Sequence, residues 1–587
     1  MMKSLTRHLL ILITLSATVF FASLGTARLW DRDEPRNAGC ARDMLAAGNW
    51  IVPVFNDELR VHKPILTYWF MMTSFATFDD PEFAARFWSA LFGIGTTLLT
   101  YLITRRLFNP TAALWAGVIL ATNIMFAIVA RLATPEIVLC FFCTLAMFVY
   151  VFSVFPRKPI GDTPQPIDAT QSFFPKKWWQ VALIYAVMGL ATLAKGPIGF
   201  LLPAAVIGMF LLIVRLPPLA PVPVDVKGFK RWIEHARRLL RPFAPMHFFR
   251  TVWLMRPITL AFVVLLVALP WYVEVGRRTD GAWSRGFFVD HNVTRALKPM
   301  EGHGGGPWYY PLTILFGFFP WVVVLLPAVV SAVLWVRRRD PARAGYLFAL
   351  CWACVWVGVF TVASTKLPTY ITPMYPALAI LTGSYLQRWQ FRDVLPDRLR
   401  TRLAFGTLAF VGAGIIVGIS IAMHTIFQGG VALGAIGLVV VAGAIVCWVL
   451  SDKDQRTATL VAFSTTAGAF MLALFTVGAP VVDRYQLSHE LLAVIEQRGD
   501  QSAVASFGRL EPSWVFYLGR PIVEIPKDHF DDAEAFIEGG RDRFLITTAD
   551  RYQQLRPNLR PDLVMLESIP YFGQKGEIVM IGSVASD

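Results

Sequence analysis

The stretch from Leu29 to Phe70 reads LWDRDEPRNAGCARDMLAAGNWIVPVFNDELRVHKPILTYWF. It follows the apolar run Leu9–Ser23, the first of a long series of such runs. Asp31, Asp33, Glu34, Arg36, His62 and Lys63 therefore stand where the first span leaves the lipid. Charge near a bilayer is costly and usually serves a function, so this loop is the first place to look for one.

Composition sets the class. The chain has 587 residues, of which 55% are hydrophobic and 16% charged, and its mean hydropathy is +0.53. A soluble domain carries about 25% charged residues. Apolar runs fall at Leu9–Ser23, Phe83–Ile103, Ala112–Val129, Ile137–Phe155, Val181–Ala194, Ile198–Val214, Ile258–Val275, Tyr310–Val336, Tyr346–Val362, Thr372–Leu386, Leu403–Met423, Val431–Leu450 and Leu460–Val477. Each is near the roughly 20 residues needed to cross a bilayer, so the pattern predicts a polytopic α-helical membrane protein of about thirteen spans. Pro64–Phe78 is shorter and more polar and predicts an interfacial helix.

Dense Lys and Arg clusters alternate between loops: Arg105–Arg106, Arg157 to Lys177, Arg215 to Arg256, Arg337–Arg339 and Arg388 to Arg402. By the positive-inside rule these loops and the N-terminus are cytoplasmic, and an odd number of spans places the C-terminus outside, in an inner or plasma membrane. The net charge of +14 is then a matter of topology and anionic headgroups, not of nucleic acid. Gly25-Thr26-Ala27 would suit signal cleavage, but the polar loop follows so closely that an uncleaved anchor is the expectation. The pairs Cys140/Cys143 and Cys351/Cys354 lie inside apolar runs without histidine partners, where cysteine is a small hydrophobe.

From Val481 the pattern changes. Short apolar runs at Ala503–Phe507, Ile522–Ile525, Phe544–Thr548 and Leu563–Leu566 alternate with helical stretches at Leu487–Gln497 and Asp532–Glu538. This predicts a small extracytoplasmic α/β domain over residues 481–587, beside a membrane domain over 1–480 whose first outer loop spans 29–82.

The loops expected outside are polar without being merely basic. They are the first loop, ARLATPE (Ala130–Glu136), KGP (Lys195–Pro197), HNVTRALKPMEGHGGGPWYY (His291–Tyr310) and STKLPTYITPMYP (Ser364–Pro376). Carboxylates, cations and aromatics at one depth suit a site that binds an anion and moves a proton. Arg and Lys would neutralise a phosphate, and a carboxylate would activate a hydroxyl or amine nucleophile. With apolar grooves between helices for a polyprenyl tail, the set fits glycosyl transfer from a lipid-phosphate-linked sugar.

The segments DEPR (Asp33–Arg36), ARDML (Ala41–Leu45), GNW (Gly48–Trp50) and LRVHKPILTYW (Leu59–Trp69), with ARLATPE, LAKGP, ALPWYV (Ala268–Val273) and TKLPTYITPMYP, resemble the ArnT-type, PMT-like membrane glycosyltransferases of the GT-C fold. The resemblance implies a polyprenyl-phosphate sugar donor, a lipid or glycan acceptor such as an envelope lipopolysaccharide, and a divalent metal as one cofactor option. It implies catalytic roles for Asp33 and Glu136, and donor-phosphate binding by Arg36, Lys63 and Lys195. Glu34, Arg295, His303, Lys366 and Tyr370 would contact substrate. Two positions depart from the family pattern: His62 replaces an acidic residue before Lys63, and Pro135-Glu136 replaces Thr-Asp. His62 keeps a metal-binding ring but removes a negative charge.

Plainer readings stand beside these. Asp33 suits a helix cap ahead of Pro35, Glu136 suits a helix N-terminus, and Lys63 and Lys195 suit snorkelling to headgroups. A protein O-mannosyltransferase would share donor and fold. A transporter or lipid flippase would instead place charges mid-membrane within repeated halves, which this sequence does not show.

Overall fold

A computed structural model describes residues 2–30, 32–156, 172–216, 228–229, 234, 237–238, 240–294, 304–393, 398–497, 502–572 and 575–583. Among them, nine helices are long and apolar enough to cross a membrane, or ten if one bent pair counts as a single span. All thirteen apolar runs are largely helical, but not all are full spans. Ala112–Val129 splits into α5 (Pro110–Ala121) and α6 (Ile124–Val129), because the side chain of Asn123 caps a new helix by accepting from the Phe126 N–H at 3.1 Å. Tyr310–Val336 becomes Tyr309–Gly317 and Val322–Arg337, bent by 118°. Ile198–Val214 (α9) is helical over 17 residues and Tyr375–Gln390 over 16.

Local chemistry sets the other starts. Asp80 accepts from the Phe83 N–H at 2.8 Å ahead of Pro81, opening α4 (Pro81–Leu107). Asn109 does the same for α5, ahead of Pro110. Thr96, Thr97, Thr100 and Thr104 sit fully buried in α4 because each hydroxyl donates to the carbonyl four residues back.

Within the bundle, α4 packs on α1 (Met2–Phe21), α5 and α7 (Pro135–Val154), and α7 packs on α8 (Trp178–Lys195). Between α1 and α4 lie α2 (Asp33–Ala46), a two-stranded hairpin of β1 (Val54–Phe55) and β2 (Glu58–Leu59), and α3 (Leu66–Phe75), which packs against α2 and α4.

The C-terminal region forms a five-stranded sheet. Strands β3 (Ala503–Phe507), β4 (Val523–Ile525), β5 (Arg543–Thr548), β6 (Leu563–Pro570) and β7 (Glu577–Ser583) lie in the order β4-β3-β5-β7-β6. The pairs β4/β3 and β3/β5 are parallel; β5/β7 and β7/β6 are antiparallel. Alternation along the strands decides which face goes where. Ala505, Phe507, Leu545 and Ile581 join Ala533, Ile537 and Leu555 in a small separate core. Val504, Phe544, Ile546 and Met580 face the opposite way and join the core of the helical bundle. The sheet is fastened to the first loop by Arg42 donating to the Phe516 carbonyl at 2.7 Å, by Asn56 bonded to both backbone groups of Ile522, and by the Leu29 N–H on the Tyr517 hydroxyl at 2.9 Å.

Candidate active site

Helix α2 begins at Asp33 itself. The residue before it, Arg32, is already helical and makes no capping bond, and no side-chain hydrogen bond of Asp33 is found among the described residues. Asp33 is half-buried and lies close enough to Arg60 and Tyr68 to bear on their charge. Arg60 is itself buried, donating Nε to the Tyr68 hydroxyl and Nη2 to Asn37 Oδ1, both at 2.9 Å. A fixed cation thus stands beside a carboxylate that is not committed to a cap.

Glu34, one residue on, is 0% exposed. Its two oxygens take Nε and Nη2 of Arg86 at 2.9 Å each, the Ala133 N–H at 2.8 Å and the Trp30 N–H at 3.2 Å. Burial raises its pKa, but Arg86 and these donors outweigh that and hold it below the ordinary carboxylate value. Glu34, expected to contact substrate, is placed with both oxygens on these partners, where it ties α2 to α4 and to the turn before α7.

Lys195 ends α8, where the helix dipole favours a cation. Gly196 follows with φ +82° and ψ −158°, a backbone setting that essentially only glycine adopts, and Pro197 leads into α9. This is the physical content of the KGP motif: it stops one helix, starts the next and leaves the ammonium at the turn. Glu136 opens α7, and its Oε1 meets Lys195 Nζ at 2.5 Å with both side chains only 8% exposed. The same ammonium lies 4.8 Å from the Tyr370 ring centroid. Lys63 is half-buried and near enough to Glu136 and His62 to act on both, and Arg36 acts on His62. The fold thus gathers Arg36, Lys63, Glu136, Lys195 and Tyr370 at the end of the bundle that carries Asp33. Glu136, expected to be catalytic, is placed in an ion pair with Lys195.

Lys366 lies one residue pair further, through Phe360, which packs on Tyr370 with ring centroids 5.3 Å apart. Its Nζ donates to the carbonyls of Phe360, Thr361 and Ala363 at 3.3, 2.7 and 2.7 Å, so it caps the helix Arg343–Val362. Lys366, expected to contact substrate, is thus placed on a helix end. Arg295 and His303 lie outside the described residues.

His62 meets His291 with ring centroids 4.0 Å apart. Burial and the charges of Arg60, His291, Lys63 and Arg36 push its pKa down to about 2. A metal needs converging donors, yet among the described residues no group of three or more His, Cys, Asp and Glu side chains is placed to hold one. The cations around His62 would also repel a divalent ion. The described residues do not fit a metal at His62.

Arg60 and Asn37 were not singled out from sequence. Arg60 lies within the LRVHKP segment, and a buried arginine beside the loop's first carboxylate declares itself only in three dimensions.

The protein is thus a helical membrane bundle with a paired-charge site at one end and a small sheet packed against its first loop. Residues 5–284 match the sequence family of dolichyl-phosphate-mannose-protein mannosyltransferases (PMT). An uncharacterized protein of Aquifex aeolicus is 31% identical over 390 residues, covering 66% of this chain and 65% of its own. The undecaprenyl phosphate-alpha-4-amino-4-deoxy-L-arabinose arabinosyl transferase 2 of Proteus mirabilis is 27% identical over 363 residues, covering 62% and 56%. The crystal structure of ArnT from Cupriavidus metallidurans bound to undecaprenyl phosphate superposes with a TM-score of 0.72 at 20% identity, covering 98% of each chain. The chain shares the fold of that ArnT structure, and its matched part spans between half and two thirds of the curated relatives' length.

Proposed function

We propose that the protein is a glycosyltransferase that moves a sugar from a polyprenyl-phosphate donor to an envelope lipid or glycan acceptor. The observation that carries this is the Lys195–Glu136 pair set near Lys63 at the bundle end that holds Asp33. The solved relative bound to undecaprenyl phosphate and the relatives named for an undecaprenyl-phosphate-linked aminoarabinose support the donor class. Pentosyl transfer is the first reading on those names. The mannosyltransferase family match favours hexosyl transfer, including to protein hydroxyls, as the second.

In the proposed single displacement, the acceptor oxygen attacks the anomeric carbon and the bond to the lipid phosphate breaks. Asp33 takes the acceptor proton. Arg36 and Lys63, with Lys195 held by Glu136, neutralise the phosphate as it leaves. Arg60 stands close enough to Asp33 for the two charges to interact. Attack opposite the leaving group inverts the anomeric centre.

The Lys and Arg distribution supports a cytoplasmic N-terminus and a periplasmic site and C-terminus, with residues 1–480 as the membrane domain and 481–587 as the α/β domain. The test is transfer by purified protein in lipid, offered polyprenyl-phosphate pentoses and hexoses with envelope lipid extract, with released polyprenyl phosphate read by mass spectrometry. Release with one donor, lost in Asp33→Asn and in Lys63→Ala, is expected. Equal release by Asp33→Asn would remove Asp33 from the chemistry.

A further inference from the structure

Residues Pro245–Leu254 form a helix, α10, whose faces are the reverse of those of an ordinary surface helix. His247 and Thr251 point inward: Nε2 of His247 donates to the Leu212 carbonyl at 2.9 Å, near the end of α9, and Thr251 is 1% exposed. Met246, Phe249 and Trp253 stand on the opposite face and are 65, 68 and 70% exposed. Arg250 shares that face and is exposed. An apolar face turned away from the protein needs a cover that is itself apolar.

The contacts of α10 fix its depth. Only Met255 and Arg256 separate it from the apolar span Pro257–Arg278, and Arg256 has φ +54°, so the chain turns there instead of running on as one helix. The Tyr185 hydroxyl of α8 donates to the Met255 carbonyl, and Nη2 of Arg256 donates at 3.3 Å to the Lys176 carbonyl, just ahead of α8. Helix α10 therefore lies where α9 ends and where α8 and the span Pro257–Arg278 begin, at the boundary between hydrocarbon and water. Trp178 and Trp179, which open α8, are 57 and 58% exposed, and tryptophan favours that boundary.

The charge around the helix has one sign. Lys176, Lys177, Arg241, Arg250 and Arg256 stand in the segments Ser172–Gln180 and Leu240–Leu260, which hold no Asp or Glu. Lys176, Lys177 and Arg250 are exposed and have no ion-pair partner among the described residues. A soluble anion would meet these cations and leave the rings uncovered. An anionic phospholipid does both: its acyl region covers Met246, Phe249 and Trp253, and its phosphate meets the cations.

We propose that α10 is an interfacial anchor that recognises anionic phospholipid headgroups through Arg250, Lys176 and Lys177. The leaflet is the cytoplasmic one in the orientation proposed above. The glycosyl-transfer reading is not needed for it.

The test uses the full-length protein in nanodiscs of phosphatidylglycerol and phosphatidylcholine, with one of the two lipids brominated high on its acyl chains. The difference in fluorescence between the protein and its Trp253→Phe variant isolates the Trp253 signal. That signal is expected to be quenched, and more strongly by brominated phosphatidylglycerol than by brominated phosphatidylcholine. Arg250→Gln, and Lys176→Gln together with Lys177→Gln, each measured with and without Trp253→Phe, are expected to lower this preference about fivefold for each cation removed. Their unfolding temperatures are expected to match wild type. No quenching by either lipid overturns the proposal; a dimer seen by mass photometry would then give the face to a second copy of the chain. Equal quenching by the two lipids overturns it by reducing the contact to an apolar one. A preference that survives both sets of cation variants overturns it too. So does a preference abolished by inorganic phosphate at constant ionic strength, which would mark a site for small anions.

Discussion

Nζ of Lys195 and Oε1 of Glu136, 59 residues apart in the chain, meet at 2.5 Å in a buried ion pair. The contact joins the C-terminus of one membrane helix to the N-terminus of another, and each end carries the charge its dipole favours. Removing one partner leaves the other charge buried and alone, which is more damaging than removing both. Glu136→Gln and Lys195→Met should each lower the unfolding temperature. The double variant should lose less than the sum of the two, with a coupling of about 0.5–3 kcal/mol. Additive losses would mean the pair does not act as a unit.

Asp33 and Glu34 should separate chemistry from stability. Glu34→Ala strands the buried Arg86 guanidinium and should cost roughly 3–5 kcal/mol of stability, read by thermal unfolding in detergent. Asp33→Asn breaks no side-chain hydrogen bond found among the described residues. It should keep the wild-type unfolding curve while lowering transfer about 10²–10⁴-fold, the range for loss of a general base. An Asp33→Asn protein that unfolds early would reassign Asp33 to structure.

His62 should report as an acid sensor of stability, not of catalysis. Its folded pKa of about 2 lies below the ordinary 6.5, so the unfolded chain takes up a proton that the folded one refuses. The stability this represents is present above pH 6.5 and is lost as pH falls towards 2. Unfolding temperatures of His62→Gln should fall less steeply than wild type between about pH 6 and pH 4, the upper part of that window. Identical slopes would place the charged ring in a setting that tolerates it.

Lys366→Met should act on the fold. Loss of its bonds to three carbonyls of the preceding helix end should cost about 1–3 kcal/mol. The donor KM should not move. A raised donor KM at unchanged stability would return Lys366 to the substrate.

Much of the architecture was legible in the sequence because its causes are local. Apolar run length marks the helices, Asn and Asp ahead of proline mark their starts, and the glycine of KGP marks a turn that other residues do not make. Strand β3 is read to the residue from AVASF, Ala503–Phe507. Strand β7 was missed: Glu577–Ser583 is a short apolar run close to the C-terminus, although Gly573 and Gly576 just before it are turn signals in the sequence. The single run Ala112–Val129 also hid a break, since the effect of Asn123 depends on which backbone group its side chain reaches.

Sequence by itself determined that this is a many-helix membrane protein with acids and bases at the ends of its spans, because hydrophobicity and helix signals act over neighbouring residues. Tertiary structure alone decided what each charge does. Glu34 and Lys366 look as reactive in the sequence as Asp33 and Lys63, but Arg86, 52 residues away, neutralises the first and a helix end absorbs the second. His62 loses its proton to burial against His291, far along the chain, and to the charges of Arg60, Lys63 and Arg36. Burial and the approach of distant partners set the energy of a charge, and neither is written in the residues beside it.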